Sequence, residues 1–158
     1  SYGPGAKESI SDFRRVLDVN LVGAFSFCQE VGRIMLTRRS GSIINISSIL
    51  GSVASAPIHA ASYCASKGAL NQLTRELAVQ WASRGVRVNA LAPGYFPSEL
   101  SDELLDSEIG SKHVARGTPM GRPGADGELN GALLLLASDA GSYITGHVLH
   151  VDGGWTAR

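Results

Sequence analysis

Two short β-branched runs with a long helical stretch between them constrain this chain more than any other feature. Ser42-Ile43-Ile44-Asn45-Ile46 and Val86-Arg87-Val88-Asn89-Ala90-Leu91-Ala92 read as buried parallel strands. Between them Leu70, Leu73, Leu77 and Trp81 recur at helical spacing, which predicts a helix ending near Arg84-Gly85. A third strand, Val148-Leu149-His150-Val151, follows another helix; Asp126 is expected to cap that helix, with Glu128 in its first turn and Leu136 near its end. Strand, helix, strand, helix, strand predicts an α/β fold with a doubly wound parallel sheet. Such sheets bind ligands beyond the carboxyl ends of their strands. Ser47-Ser48 and Pro93-Gly94 leave the first two strands at that edge, and the helix carrying Tyr63 starts back from it.

The bulk numbers fit one globular unit. The chain has 158 residues, 44% hydrophobic and 18% charged, enough for a real core. Fourteen basic residues balance fourteen acidic ones, so no electrostatic case exists for nucleic acid or an anionic membrane. Cys28 and Cys64 show neither metal-ligand spacing nor a disulfide framework and read as reduced core residues. Neither a secretory signal nor an apolar run near the ~20 residues of a membrane span is expected, so the predicted location is cytoplasmic.

A helix is predicted from Ser9, with Ser9 and Asp12 as a capping pair. Its apolar face holds Phe13, Val16, Leu17, Leu21, Ala24, Cys28, Val31 and Met35. Asn20 lies inside that stripe; its amide must find partners there, and it is a residue that can distort a helix locally. Residues 96–124 are loosely patterned, with one or two short helices expected between Glu99 and Ala115. A long insert of this kind after a strand is expected to be a substrate lid within the single domain 1–158. Lys112, Arg116 and Arg122 are read there as solvated charges.

Tyr63 and Lys67 stand one helical turn apart, ~6 Å along the axis and on one face. An ordinary Tyr has a pKa of about 10 and seldom ionises near neutrality. A neighbouring ammonium favours the phenolate, which brings the group toward useful acid/base chemistry. Tyr-x-x-x-Lys alone is common, and packing with solvation accounts for it. The surrounding segments add the specificity.

Five of them, in order, resemble the short-chain dehydrogenase/reductase family: Asp18-Val19-Asn20-Leu21, Asn45-Ile46-Ser47-Ser48-Ile49-Leu50-Gly51, Tyr63-Cys64-Ala65-Ser66-Lys67-Gly68-Ala69-Leu70, Val88-Asn89-Ala90-Leu91-Ala92-Pro93-Gly94, and Tyr143-Ile144-Thr145-Gly146 with Val151-Asp152-Gly153-Gly154. The resemblance implies a Rossmann-like fold and an oxidoreductase using NAD or NADP to interconvert a secondary alcohol and a ketone. It implies Tyr63 as acid/base, and Lys67 as the residue that tunes Tyr63 and bonds the nicotinamide ribose. Ser48 would bind the substrate oxygen, and Asn20 a water relaying protons from Lys67. Pro93, Gly94, the Phe96 backbone and Ser98 would position the nicotinamide, with Tyr63 and Lys67 also touching the cofactor. No metal is implied. The partners implied are a small-molecule substrate and further copies of the chain, as a homodimer or homotetramer built on the long helices. The region from Pro93 to Trp155 looks like that of members acting on sugar acids or 3-oxoacyl thioesters.

The sequence departs from the family in lacking G-x-G-x-x-G, the pyrophosphate-binding turn. The expectation is therefore an incomplete sheet without its first strands, an unpaired edge, and a 158-residue chain that is inactive or feebly active alone. A non-catalytic assembly module is the alternative. A serine hydrolase is disfavoured: no G-x-S-x-G is present, and His59, His113, His147 and His150 follow no triad order. His147 and His150 are three apart on a predicted strand, so they face opposite sides and make a poor metal pair.

Overall fold

The computed structural model describes residues 4–56, 58–98 and 101–158. Helix α1, Ile10–Leu17, starts at Ser9, whose Oγ accepts from the Asp12 amide at 3.0 Å. The chain continues through a π-helical turn, Asp18–Val22, into α2, Gly23–Arg38. The expected long helix is thus present, and its distortion is centred on Asn20. Such π-turns widen a helix locally and recur at functional sites.

Strand β1, Gly41–Ile46, leads through a loop to α3, Ala61–Trp81, and then to β2, Val86–Pro93. Two short helices follow, α4 (Asp102–Asp106) and α5 (Glu108–Gly117), then α6 (Asn130–Ala137) and β3 (Val148–Val151). The sheet order is β1-β2-β3, all parallel, with Ile46 opposite Leu91 and Pro93 opposite Val151. The ladder runs on past the strands: the Ser47 amide donates to Leu91 O at 2.7 Å and the Gly94 amide to Val151 O at 2.9 Å. β2 and β3 therefore end level, β1 ends two residues earlier at the same edge of the sheet, and β1 is an edge strand among the described residues.

Side-chain alternation along β1 sends successive residues to opposite faces. Ile43 packs with Cys28 of α2, Leu77 and Ala78 of α3 and Val88 of β2. Burying aliphatic side chains such as Leu77 and Val88 contributes about 1.5–3 kcal/mol each. Asn45, on the same face, is buried but satisfied: its Nδ2 donates to Thr74 Oγ1 at 2.9 Å, and Cys28 Sγ donates to its Oδ1. Burial pushes the Cys28 thiol above its ordinary pKa despite that bond. Cys64 is only half-buried, so the expectation of a core position holds for Cys28 alone. On the other face Ser42 Oγ donates to Leu136 O of α6 at 2.8 Å. Helices thus cover both faces, as a doubly wound sheet requires.

The start of α6 differs from expectation. Asp126 does not cap it; the helix begins at Asn130, after turns spanning 126–129. Gly127, at φ 83°, stands in the left-handed region and cannot continue a right-handed helix. The Glu128 carboxylate serves the preceding turn instead, accepting from the Ala125 amide at 2.7 Å and twice from Arg122 at 2.8 Å. Those bonds, Arg122 first, pull the Glu128 pKa down to about 2. Arg122 is therefore ion-paired rather than simply solvated.

Two short helices form where one or two were expected between Glu99 and Ala115, although Glu99 and Leu100 lie outside the described residues. Helix α5 is anchored: Val114 is fully buried, and the His113 ring meets the Trp155 ring edge-on at 5.6 Å. Tyr95 meets the same Trp155 ring at 4.9 Å. Helix α4 buries none of its residues.

Candidate active site

The carboxyl ends of the strands open onto a cavity of about 780 Å³. Its walls include Ser47 and Ser48 after β1, Tyr63 and Lys67 of α3, and Pro93, Gly94, Phe96 and Ser98 after β2. Seven of the eight residues expected at the site thus share one space. The eighth, Asn20, is not among the lining residues and is bonded to Ser66 of α3.

Helix spacing puts the Tyr63 and Lys67 side chains on one face, and the structure brings them together: Lys67 Nζ lies 5.5 Å from the Tyr63 ring centroid. The ammonium also donates to Ile46 O at 2.9 Å, tying α3 to the end of β1. Burial lowers the Lys67 pKa from its ordinary 10.5. A partly desolvated cation acts more strongly on its neighbours than one in water.

The two serines differ. Ser47 is 4% exposed, and its hydroxyl donates to Asn71 Oδ1 at 2.6 Å. Ser48 is half-buried, and its Oγ accepts from the Leu50 amide at 3.1 Å, capping the short turn Ile49–Gly51. That single acceptor role leaves the Ser48 hydroxyl proton available to a ligand oxygen.

Asn20 takes a place different from direct contact with Lys67. From the π-turn its Nδ2 donates to Ser66 Oγ at 3.1 Å, and Ser66 Oγ donates to Tyr63 O at 2.7 Å. Ser66 is fully buried. Asn20 is therefore linked to the Tyr63 carbonyl of α3 through the Ser66 hydroxyl.

After β2, the ring of Phe96 packs over Gly124 and its carbonyl accepts from Ser101 Oγ. Ser98 is exposed at the cavity rim; its amide donates to Asp102 Oδ1 at 3.0 Å and its Oγ is bonded to Ser101 Oγ. His150 is bonded through Nε2 to Ser52 Oγ at 2.9 Å, and His147 is exposed. Among the described residues no three His, Cys, Asp or Glu side chains gather as metal ligands, and no helix is long and apolar enough to cross a membrane. Sequence reasoning missed Ser66 and Asn71. Asn71 had a signal available, since it stands one further turn along the Tyr63–Lys67 face.

Comparison with known proteins agrees with this geometry. The family model described as enoyl-(acyl carrier protein) reductase matches residues 2–156. The chain belongs to the short-chain dehydrogenase/reductase family. It is 47% identical over 144 residues to a galactitol 2-dehydrogenase (L-tagatose-forming) of Cereibacter sphaeroides, covering 91% of this chain and 57% of that protein. To a 2-dehydro-3-deoxy-D-gluconate 5-dehydrogenase of Bacillus subtilis it is 40% identical over 157 residues, 96% of this chain and 61% of the relative. A crystal structure of a gluconate 5-dehydrogenase from Burkholderia cenocepacia, in complex with NADP and tartrate, superposes with a TM-score of 0.96 at 39% identity. That match covers all of this chain and 61% of the other. The chain thus spans about three-fifths of the length of these relatives.

Proposed function

We propose that the protein carrying this chain is an NAD(P)(H)-dependent oxidoreductase that interconverts a secondary alcohol and a ketone. The observation that carries the reading is the convergence of Tyr63, Lys67 and Ser48 on one cavity, with the Lys67 ammonium 5.5 Å from the Tyr63 ring. The named activities of the relatives and the NADP bound in solved neighbours support it.

The residues present fit a nicotinamide. The cavity has room for a flat ring and a small substrate together, within the ~300–1,000 Å³ typical of ligand sites. Pro93, Gly94, the Phe96 backbone and Ser98 would form one wall, with Lys67 reaching the ribose. When bound, the cofactor supplies or accepts the hydride. Tyr63 gives its phenolic proton to the substrate oxygen in reduction and takes it back in oxidation. The Lys67 charge stabilises the resulting phenolate. Ser48 donates to the same substrate oxygen and fixes its direction. Asn20 supports the α3 backbone through Ser66 and holds the water through which Lys67 exchanges protons with solvent. Residues 96–124 form the substrate lid of a single catalytic domain, 1–158. The reading includes a small-molecule partner, a cytoplasmic location, and no nucleic-acid or membrane partner; the balanced charge supports the last.

A second reading, an assembly module without catalysis, is favoured by the apolar side chains that α2 and α3 leave exposed, among them Phe27, Ile34 and Val79. The two readings are compatible if those faces join a homodimer or homotetramer. Turnover of secondary alcohols and ketones with each nicotinamide nucleotide separates them. The Tyr63→Phe variant, which keeps the ring and loses the proton, is expected to lose at least ~10²-fold in kcat. Wild-type turnover in Tyr63→Phe, or no turnover of any alcohol or ketone by the gene's full product, would overturn the catalytic reading.

A further inference from the structure

The side chain of Asn71 grips the serine loop on both sides of Ser48. Its Oδ1 accepts from Ser47 Oγ at 2.6 Å, and its Nδ2 donates to Gly51 O at 3.2 Å. Ser47 immediately precedes Ser48, and Gly51 closes the turn that Ser48 caps, its amide donating to Ser48 O at 3.0 Å. Asn71 is 3% exposed and spends both kinds of hydrogen-bonding group on this one loop. The loop also approaches α3 very closely. A Cβ at Gly51 would stand 2.7 Å from Asn71 Nδ2 and 2.8 Å from the carbonyl carbon and oxygen of Lys67, so no larger residue fits without displacing the loop.

Tyr63, Lys67 and Asn71 occupy successive turns of one face of α3, at i, i+4 and i+8. One rigid helix therefore carries the acid/base, its cation, and the amide that holds the substrate-binding serine. We propose that Asn71 is a positioning residue that sets Ser48 at a fixed distance from Tyr63, so that both oxygens address one substrate oxygen. The role rests on the oxidoreductase reading above. It acts on the chemical step, because reacting groups must be held within ~0.5 Å by partners that are themselves locked by hydrogen bonds. An error near 1 Å costs about 10²-fold in rate.

The test uses the full gene product and two variants. Asn71→Leu removes the grip and leaves the Ser47 hydroxyl buried without its short bond; Ser47→Ala/Asn71→Leu removes both partners of that bond, which recovers most of the stability and leaves only Gly51 O without its Asn71 donor. A purely structural role predicts that stability and kcat recover together in the double variant. A positioning role predicts that the melting temperature recovers while kcat stays about 10–100-fold low, with KM for the nicotinamide nucleotide unchanged and a larger primary deuterium isotope effect. Amide exchange gives a readout independent of turnover: the Leu50 and Gly51 amides are expected to exchange at least ~10-fold faster in both variants, through local opening of the loop. Recovery of kcat in the double variant, or unchanged exchange at Leu50 and Gly51, would overturn the assignment. An inactive wild type whose Leu50 and Gly51 exchange still responds to Asn71→Leu would instead contradict the oxidoreductase reading and leave the grip itself standing.

Discussion

Around Ser48, Tyr63 and Lys67 the polar contacts join different elements. Lys67 reaches Ile46, Asn20 reaches Ser66, and Asn71 reaches Ser47 and Gly51, each across at least twenty residues of sequence. In residues 96–112 the side-chain bonds are local, while the far end of the 96–124 segment is tied back by the Met120 amide donating to Gly153 O at 3.1 Å and the Gly124 amide to Tyr95 O at 2.9 Å. The Ser98 amide meets Asp102, Ser107 caps the Gly110 amide, and Lys112 meets Glu108 one turn away. The difference teaches where cooperativity resides. Loosening the first region means separating α3 from β1, which is close to global unfolding, whereas α4 can open at little cost because it buries no residue. Under the proposed function, a fixed centre beside a segment that opens locally would suit an enzyme that must admit and release substrate.

The comparison breaks first at Trp155, the long-range anchor of α5. Replacing it by Ala removes ring contacts to Tyr95, His113 and Gly117 and is expected to cost about 3–5 kcal/mol of unfolding free energy. Chemical denaturation measures that loss, and limited proteolysis should place the earliest new cleavages within 101–117. An unchanged denaturation midpoint would show that the cover is held by something else.

The next effect separates activity from stability. Lys67→Met is expected to lower kcat/KM by about 10²-fold or more, equivalent to ~2.7 kcal/mol of transition-state stabilisation. Its melting temperature at pH 7 should be no lower than the wild type's. Burial lowers the Lys67 pKa below 10.5, so the unfolded chain binds this proton more tightly than the folded one. Wild-type stability relative to Lys67→Met should therefore improve as pH rises toward 10.5, and calorimetry across that window reads the sign.

The smallest effect belongs to Asp152, beside the anchor. Burial raises its pKa, but bonds from the Thr156 hydroxyl and amide and the Gly154 amide, with the nearby His150, outweigh this and leave it below 3.8. A lowered carboxylate pKa contributes stability above the unfolded value and loses it as pH falls through the folded one. Asp152→Asn is thus expected to lower the melting temperature by roughly 2–4 °C at pH 7, the shift for ~1 kcal/mol, with the gap closing below pH 4.

The same contrast decides how much can be read from sequence. Tyr63 and Lys67 are legible because a helix of period 3.6 turns a spacing of four into adjacency. Pro93-Gly94 and Ser47-Ser48 are legible because parallel strands bring their exits to one edge. Choosing Ser48 over Ser47 required the family resemblance; the physical distinction, a buried bond from Ser47 to Asn71, is tertiary and spans 24 residues. The place of Asn71 on the Tyr63–Lys67 face is readable from spacing, but its partners Ser47 and Gly51 are tertiary and appear only when the loop lies against it. The misread start of α6 has a local cause, since a Glu after Gly127 serves a helix or a turn equally well until Arg122 arrives. Residues 96–124 resist because most of their side-chain bonds go to near neighbours and leave no periodic apolar signature.

The central claim is that the Lys67 charge sets the ionisation of Tyr63. The pH dependence of kcat/KM for alcohol oxidation, in wild type and Lys67→Met, tests it most directly. The account predicts a rise governed by one ionisation below the ~10 of an ordinary tyrosine, moved to higher pH in Lys67→Met and absent in Tyr63→Phe. A rise that stays in place when Lys67 is replaced, or that survives in Tyr63→Phe, would contradict it.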